Sequence, residues 1–362
     1  MDGCIVVSSA HATCLALIAV LSLGCAQDDP AEPSADDETG ATPATGTSSD
    51  GGPAAESGDS PAGTTGADGS SDGAESGGVT IPDPVPDDCI TEVTAGHHVF
   101  ACDGFDFDVE VPEGCIGTQC GLIVDVHGYT MDAAMEDKNT EMRRLGAERG
   151  YVVVQPNANP EPPNASWNVS DDEIVFDFAM RTVAAFHLDE NRLNFTGFSQ
   201  GGFMSWRFAC KYGDVFTAIA PGAACSASGV VEGCSFDGDV AGTPHLMYIH
   251  GLTDSLVPYD GCAEPQRDQV LAAYAMDESA EVVAAEAEYR WNRWTSPDGV
   301  VFEMIDHDYR ATSPILGGHC YPGSEDLEAD LPGQFLAFGC NPVSPIHYGE
   351  AIVDFFDAHP KL

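Results

Sequence analysis

A serine between glycines, in Gly197-Phe198-Ser199-Gln200-Gly201-Gly202, follows the strand-compatible run 192–196 (RLNFT) and precedes a helix-compatible stretch beginning near Phe203. A serine in such a strand-to-helix turn has its hydroxyl exposed above the sheet edge, where it can serve as a nucleophile. Gln200 then opens the helix, and its amide, with the helix dipole, favours a developing oxyanion. The plainer alternative is a glycine-rich turn whose serine only caps the helix.

An unassisted serine is a poor nucleophile, so a histidine base and an orienting carboxylate are required. Asp254 lies in 250–259 (HGLTDSLVPY), just beyond the apolar run 245–250 (HLMYIH). Loops at strand C-terminal ends are where open sheets of this kind place their sites. Asp260 and Asp268 are its competitors. His319, in the glycine-rich stretch 317–323 (GGHCYPG), completes the order Ser, Asp, His, with His307 as runner-up. His127 and His250 each precede a glycine at a strand end and are expected to brace loops. The second oxyanion donor is expected from Tyr129, because Gly128 lets the chain turn closely enough to aim its amide. This chemistry implies no metal and no organic cofactor. No two cysteines have CxxC spacing, so a zinc site is a poor reading.

These loops need a scaffold of alternating strands and helices. Strands are expected at 105–111, 121–126, 151–155, 192–196, 216–220, 245–250 and 300–306, and helices at 131–149, 171–187, 201–212, 266–276 and 345–358. Near-continuous apolar strands separated by helices predict an α/β fold, a mostly parallel sheet with helices on both faces.

Charge divides the chain. It carries 59 acidic and 13 basic residues over 362, a net charge of −46, which excludes nucleic acid as a partner. The apolar run 12–23 is too short to span a bilayer, and Gly24-Cys25 after it resembles a lipobox. Residues 1–25 are therefore expected to be a secretory signal, with Cys25 lipidated as the sole membrane attachment. Residues 26–86 contain no aromatic residue, Lys or Arg, and are expected to be a disordered acidic tether. The catalytic domain is expected at 87–362, which holds all 13 basic and 45 of the acidic residues, leaving it at −32. Ten cysteines from Cys89 to Cys340 are an even number in an exported domain, implying disulfides of unspecified connectivity.

The combination resembles α/β-hydrolase esterases related to feruloyl esterases, acetylxylan esterases and polyhydroxybutyrate depolymerases. The matching pieces are VDVHGYT at 124–130, SWN at 166–168, TGFSQGGFMSWRFAC with FTAIAP after it, HGLTDSLVPYDG, and GGHCYPGS. The resemblance implies a Ser199, Asp254, His319 triad with oxyanion amides from Tyr129 and Gln200. Trp167 and Tyr321 are expected to form an aromatic wall for a feruloyl ring or sugar, packing being the alternative. Four features depart from the group: Tyr321 where the group commonly has Trp, Cys320 directly after the histidine, an acidic stretch at 324–338, and a long segment at 263–289. The reading is a surface-tethered serine esterase acting on polymeric or small esters, extracellular or lipid-anchored to the outer membrane. Polyhydroxybutyrate depolymerisation is the alternative substrate, and a non-catalytic binding module the alternative class.

Overall fold

The computed structural model describes residues 81–226, 236 and 240–361. The expected signal, with Cys25, and the expected tether up to residue 80 lie outside these residues. The end of that tether, 81–86, runs along the domain: the Val85 amide donates to the Ala185 carbonyl at 2.8 Å, and His187 Nε2 lies 3.2 Å from the Asp83 carbonyl.

Ten strands form one sheet among the described residues. They are β1 (Gly96–Cys102), β2 (Phe105–Val111), β3 (Gly121–Val126), β4 (Tyr151–Asn157), β5 (Leu193–Phe198), β6 (Ala218–Gly222), β7 (His245–Gly251), β8 (Glu281–Ala285), β9 (Tyr289–Thr295) and β10 (Val301–His307). Their order is β1-β2-β4-β3-β5-β6-β7-β10-β9-β8. The six central strands from β4 to β10 are mutually parallel, and β1, β2, β9 and β8 pair antiparallel at the two sides. Among the described residues six α-helices cover the faces: α1 (Ala133–Thr140), α2 (Met142–Arg149), α3 (Asp171–Phe186), α4 (Gln200–Lys211), α5 (Ala263–Ala273) and α6 (Tyr348–Ala358). This is the α/β architecture, a mostly parallel sheet with helices on both faces, that the alternation of elements predicts.

Side-chain alternation explains why the central strands are largely apolar on both faces. Leu122, Val124 and Val126 of β3 enter one core layer, with Phe178, Met204 and Val270 from α3, α4 and α5. Ile123 enters the other, with Met135, Leu145 and Ile352 from α1, α2 and α6. Because the parallel strands point the same way, the loops leaving β3, β5, β7 and β10 emerge on one rim, and these are the loops that carry the candidate site.

The structure departs from expectation in two places. The single helix expected at 131–149 breaks at Glu141, which is left-handed at φ 52°. Side chains take over the amides of the second helix: Asp137 Oδ1 accepts from Arg143 at 2.9 Å and Thr140 Oγ1 from Met142 at 3.3 Å. Strands β1, β8 and β9 were not expected. β8 is almost wholly exposed, and an edge strand without a buried face carries little alternation to detect.

Four disulfides join described residues: Cys89–Cys102, Cys115–Cys120, Cys225–Cys262 and Cys320–Cys340. They fit folding in an oxidising compartment. Cys320–Cys340 closes the acidic stretch at 324–338, which is further tied to α1. Lys138 pairs with buried Asp326 at 2.7 Å, and Ser324 Oγ donates to Asn139 Oδ1 at 2.8 Å. Among the described residues no helix is long and apolar enough to cross a membrane.

Candidate active site

β5 ends at Phe198 and α4 begins at Gln200, so Ser199 alone makes the turn, at φ 53° and ψ −113°. Its amide donates to the Gly222 carbonyl and its carbonyl accepts from the Phe203 amide, both at 2.9 Å. The turn is possible because three neighbours have no side chain. A Cβ on Gly201 would lie 1.9 Å from the Val126 carbonyl oxygen, one on Gly202 2.3 Å from that of Gly222, and one on Gly197 2.7 Å from those of Gly201 and Val126. Glycine therefore lets α4 start directly against β3 and β6, which presents Ser199 at the rim.

Asp254 and His319, 65 residues apart, meet through a hydrogen bond of 2.7 Å from His319 Nδ1 to Asp254 Oδ2. Asp254 Oδ1 accepts the Leu256 and Val257 amides, each at 2.8 Å. The two loops are stitched by backbone: Gly318 donates to the Thr253 carbonyl at 2.9 Å and Ser255 to that of Leu316 at 3.2 Å. Gly317, at φ 57°, is required here, since a Cβ would fall 2.3 Å from the Thr253 carbonyl oxygen. Burial alone would raise the Asp254 carboxyl. The charge and hydrogen bond of His319, the charge of His250 and the Val257 amide outweigh burial and hold it below the usual carboxylate range. The His319 ring lies 4.8 Å from that of Phe198, the residue before Ser199.

The competitors lie elsewhere. Asp260 and Asp268 are exposed, and Asp268 is paired with Arg267 at 2.7 Å. His307 is fully buried at the end of β10, where burial first, and then the charge of His250, lowers it to about 3. His250 donates from Nε2 to the Val257 carbonyl at 2.9 Å and braces the turn that binds Asp254.

The loop after β3 passes beside the serine: a Cβ on Gly128 would lie 3.3 Å from Ser199 Cβ. Tyr129 follows in that loop, half-buried. Gln200, the first residue of α4, has an amide with no intrahelical carbonyl to bond. His127 sets the shape of the loop. Its Nε2 accepts the Ala158 amide at 3.0 Å, which leaves Nδ1 to donate to the Gly128 carbonyl at 2.7 Å.

Trp167 and Tyr321 correct the expected aromatic wall. Trp167 is 5% exposed; its indole donates to the His127 carbonyl at 3.0 Å, and its ring stacks on Phe105. Tyr321 is fully buried, stacked on Phe198 with centroids 3.9 Å apart, and its hydroxyl donates to Glu136 Oε2 at 2.6 Å. Both rings are packing groups beneath the loops, because each polar tip is already bonded inside the fold.

No family model matches the chain. It is 30% identical over 187 residues to the "Probable feruloyl esterase C" of Aspergillus terreus, covering 49% of this chain and 64% of that protein. It is 25% identical over 173 residues to a bifunctional acetylxylan esterase/xylanase of Neocallimastix patriciarum, covering 46% and 24% respectively. Over about half its length the chain is thus similar to a feruloyl esterase and an acetylxylan esterase. It spans less than two thirds of the length of either protein. A solved acetyl xylan esterase from Aspergillus awamori superposes over 56% of this chain and 87% of that one, with a TM-score of 0.47 at 17% identity.

Three side chains at the site carry no signal of their role in the sequence. The Gln200 side chain clamps the loop after β4, accepting the Trp167 amide at 2.9 Å and donating to Ser166 Oγ at 3.0 Å. Its position after the serine marked only the backbone amide. Asp125, two residues before His127, and Glu136 on α1 are both fully buried. In so acidic a chain, two more acids carry no signal until burial singles them out.

Proposed function

We propose that the chain is a serine esterase that hydrolyses carboxylic esters, with Ser199 as nucleophile, His319 as general base and Asp254 as its orienting carboxylate. The observation that carries this reading is the 2.7 Å contact between Asp254 and His319 at the rim where Ser199 occupies its strained turn. Ser199 attacks the ester carbonyl while His319 takes its proton. The Tyr129 and Gln200 amides receive the oxyanion. His319 then protonates the departing alcohol, and water releases the acid by the same steps in reverse. No step calls for a metal or an organic cofactor.

For the substrate we propose feruloyl or acetyl esters on polysaccharide, a choice supported by the names of the two curated relatives. A lipid on Cys25 is the proposed tether of the enzyme to the outer membrane, and it suits a polymeric substrate. Labelling with a fluorophosphonate tests the reaction, and stoichiometric modification at Ser199 is expected. No labelling, together with no hydrolysis of short p-nitrophenyl esters, would leave a binding module instead. Release of ferulate from methyl ferulate, or of acetate from acetylated xylan, tests the substrate. Soluble oligomers from polyhydroxybutyrate granules, with neither of those products, would overturn it.

A further inference from the structure

Asp125 on β3 and Glu136 on α1 are both fully buried. Asp125 Oδ2 accepts from Thr140 Oγ1 at 2.9 Å and from Gln155 Nε2 at 2.8 Å. Glu136 Oε2 accepts from the Tyr321 hydroxyl at 2.6 Å. The remaining oxygens, Asp125 Oδ1 and Glu136 Oε1, have no donor among the described residues, yet the two carboxyls lie within hydrogen-bonding reach of each other. Two acceptors can meet in a dry interior only if one of them carries a proton.

The pair stands between the loops of the site. Asp125 leads through Val126 into the loop of His127, Gly128 and Tyr129. Tyr321 lies two residues after His319, and its ring stacks at 3.9 Å on Phe198, the residue before Ser199. We propose that Asp125 and Glu136 share one proton, and that this neutralised pair, through Tyr321, positions the His319 loop for the reaction. The proposal rests on the esterase reading above.

Among the described residues the surroundings supply no charge that would replace the proton. Tyr348 from α6 and Asp137 from α1 lie within electrostatic range of both carboxyls, and Asp137 itself is bonded to the Arg143 amide at 2.9 Å. Arg143 of α2 enters only through Gln155 of β4, bonding its Oε1 at 2.6 Å. Burial, and then the charge of Asp125, raises Glu136 well above the carboxylate range, while burial brings Asp125 up to about 6. The proton belongs to the pair and not to one residue. Its loss at alkaline pH would set two buried charges against each other beneath His319.

The full chain tests this in two independent ways. Isotope-edited infrared spectroscopy at mildly alkaline pH should show the C=O stretch of a protonated carboxyl that Glu136→Gln removes; no such band in the wild type overturns the shared proton. In steady-state hydrolysis of p-nitrophenyl acetate, the wild type should lose kcat in an alkaline step that is absent in Glu136→Gln, whose amide donates to Asp125 and accepts from Tyr321 without titrating. Tyr321→Phe, which keeps the stacked ring, should lower kcat about tenfold with little change in KM. An unchanged kcat in Tyr321→Phe, or an alkaline step that survives Glu136→Gln, overturns the positioning role. If the wild type hydrolyses no ester at all, the esterase reading and the positioning role fall together, while the infrared band still decides the proton.

Discussion

Asp254 divides its carboxylate between two tasks: Oδ1 binds the Leu256 and Val257 amides at 2.8 Å each, and Oδ2 meets His319 Nδ1 at 2.7 Å. The division makes Asp254→Asn an informative change. Two backbone donors would hold the oxygen of the new amide, so its NH2 group must face His319. Nδ1 then has to accept, and the ring proton moves to Nε2, where a base needs a lone pair. We expect kcat to fall by about 10⁴-fold with the fold intact. Nitrogen NMR of the imidazole checks the tautomer; an unchanged tautomer with unchanged kcat would remove Asp254 from the proposed triad.

Ser199 sits at φ 53° and ψ −113°, a region that costs a residue with a side chain roughly 1–3 kcal/mol. Glycine relieves the strain but gives back part of the gain, about 0.4–1 kcal/mol, through its freer unfolded chain. Ser199→Gly should therefore raise stability by about 1 kcal/mol while abolishing hydrolysis, a shift in Tm of roughly 2 °C for a domain of this size. Ser199→Ala loses activity without that relief. Thermal unfolding of both variants decides the matter, and equal Tm values would mean that the turn stores no more strain than the freer unfolded chain of glycine offsets.

The central fold was legible because its signals are local. β3 reads as an apolar run interrupted only by Asp125, and the structure places it at 121–126 with every residue buried. The serine turn was legible because only glycine tolerates the approach of α4 to Val126 and Gly222. Other features depend on partners distant in sequence. Tyr321 looks like an open aromatic beside a histidine, yet its neighbours are Glu136, 185 residues earlier, and Phe198. Trp167 is held by His127, 40 residues away. Cys225 bonds to Cys262 and not to nearby Cys234, since the loop after β7 brings Cys262 alongside. Nothing in the composition of 131–149 marks the break at Glu141, because Thr140 is drawn inward by Asp125 on another element.

Gly201 and Gly128 should respond differently to alanine. At Gly201 the added carbon meets the Val126 carbonyl oxygen at 1.9 Å, and backbone lies on both sides, so helix and strand must separate. Gly201→Ala should destabilise by about 3 kcal/mol or more and yield little folded protein. At Gly128 the contacts are 3.2 Å to Met131 Sδ and 3.3 Å to Ser199 Cβ, which small shifts can accommodate. Gly128→Ala should fold with nearly wild-type stability yet lose about 10²-fold in kcat as the Tyr129 amide moves. Denaturant unfolding beside steady-state kinetics checks both, and a fully active Gly128→Ala would argue against Tyr129 as an oxyanion donor.

Acid should act through buried His127. Its burial lowers it to about 4, against a weaker opposing pull from the Gly128 carbonyl. An unfolded chain protonates the same imidazole at about 6.5, so between these values the unfolded state binds more protons and stability falls as pH drops. The complete shift corresponds to roughly 3 kcal/mol, present above about pH 6.5 and gone near pH 4. His127→Gln keeps an acceptor for the Ala158 amide but cannot titrate. Its unfolding free energy should therefore be flatter with pH than that of the wild type, even if lower at neutrality. Urea unfolding at about pH 7 and about pH 4.5 measures the slope; parallel slopes for the two proteins would show that the acid sensitivity resides in other groups, with His307, lowered to about 3, the next to substitute.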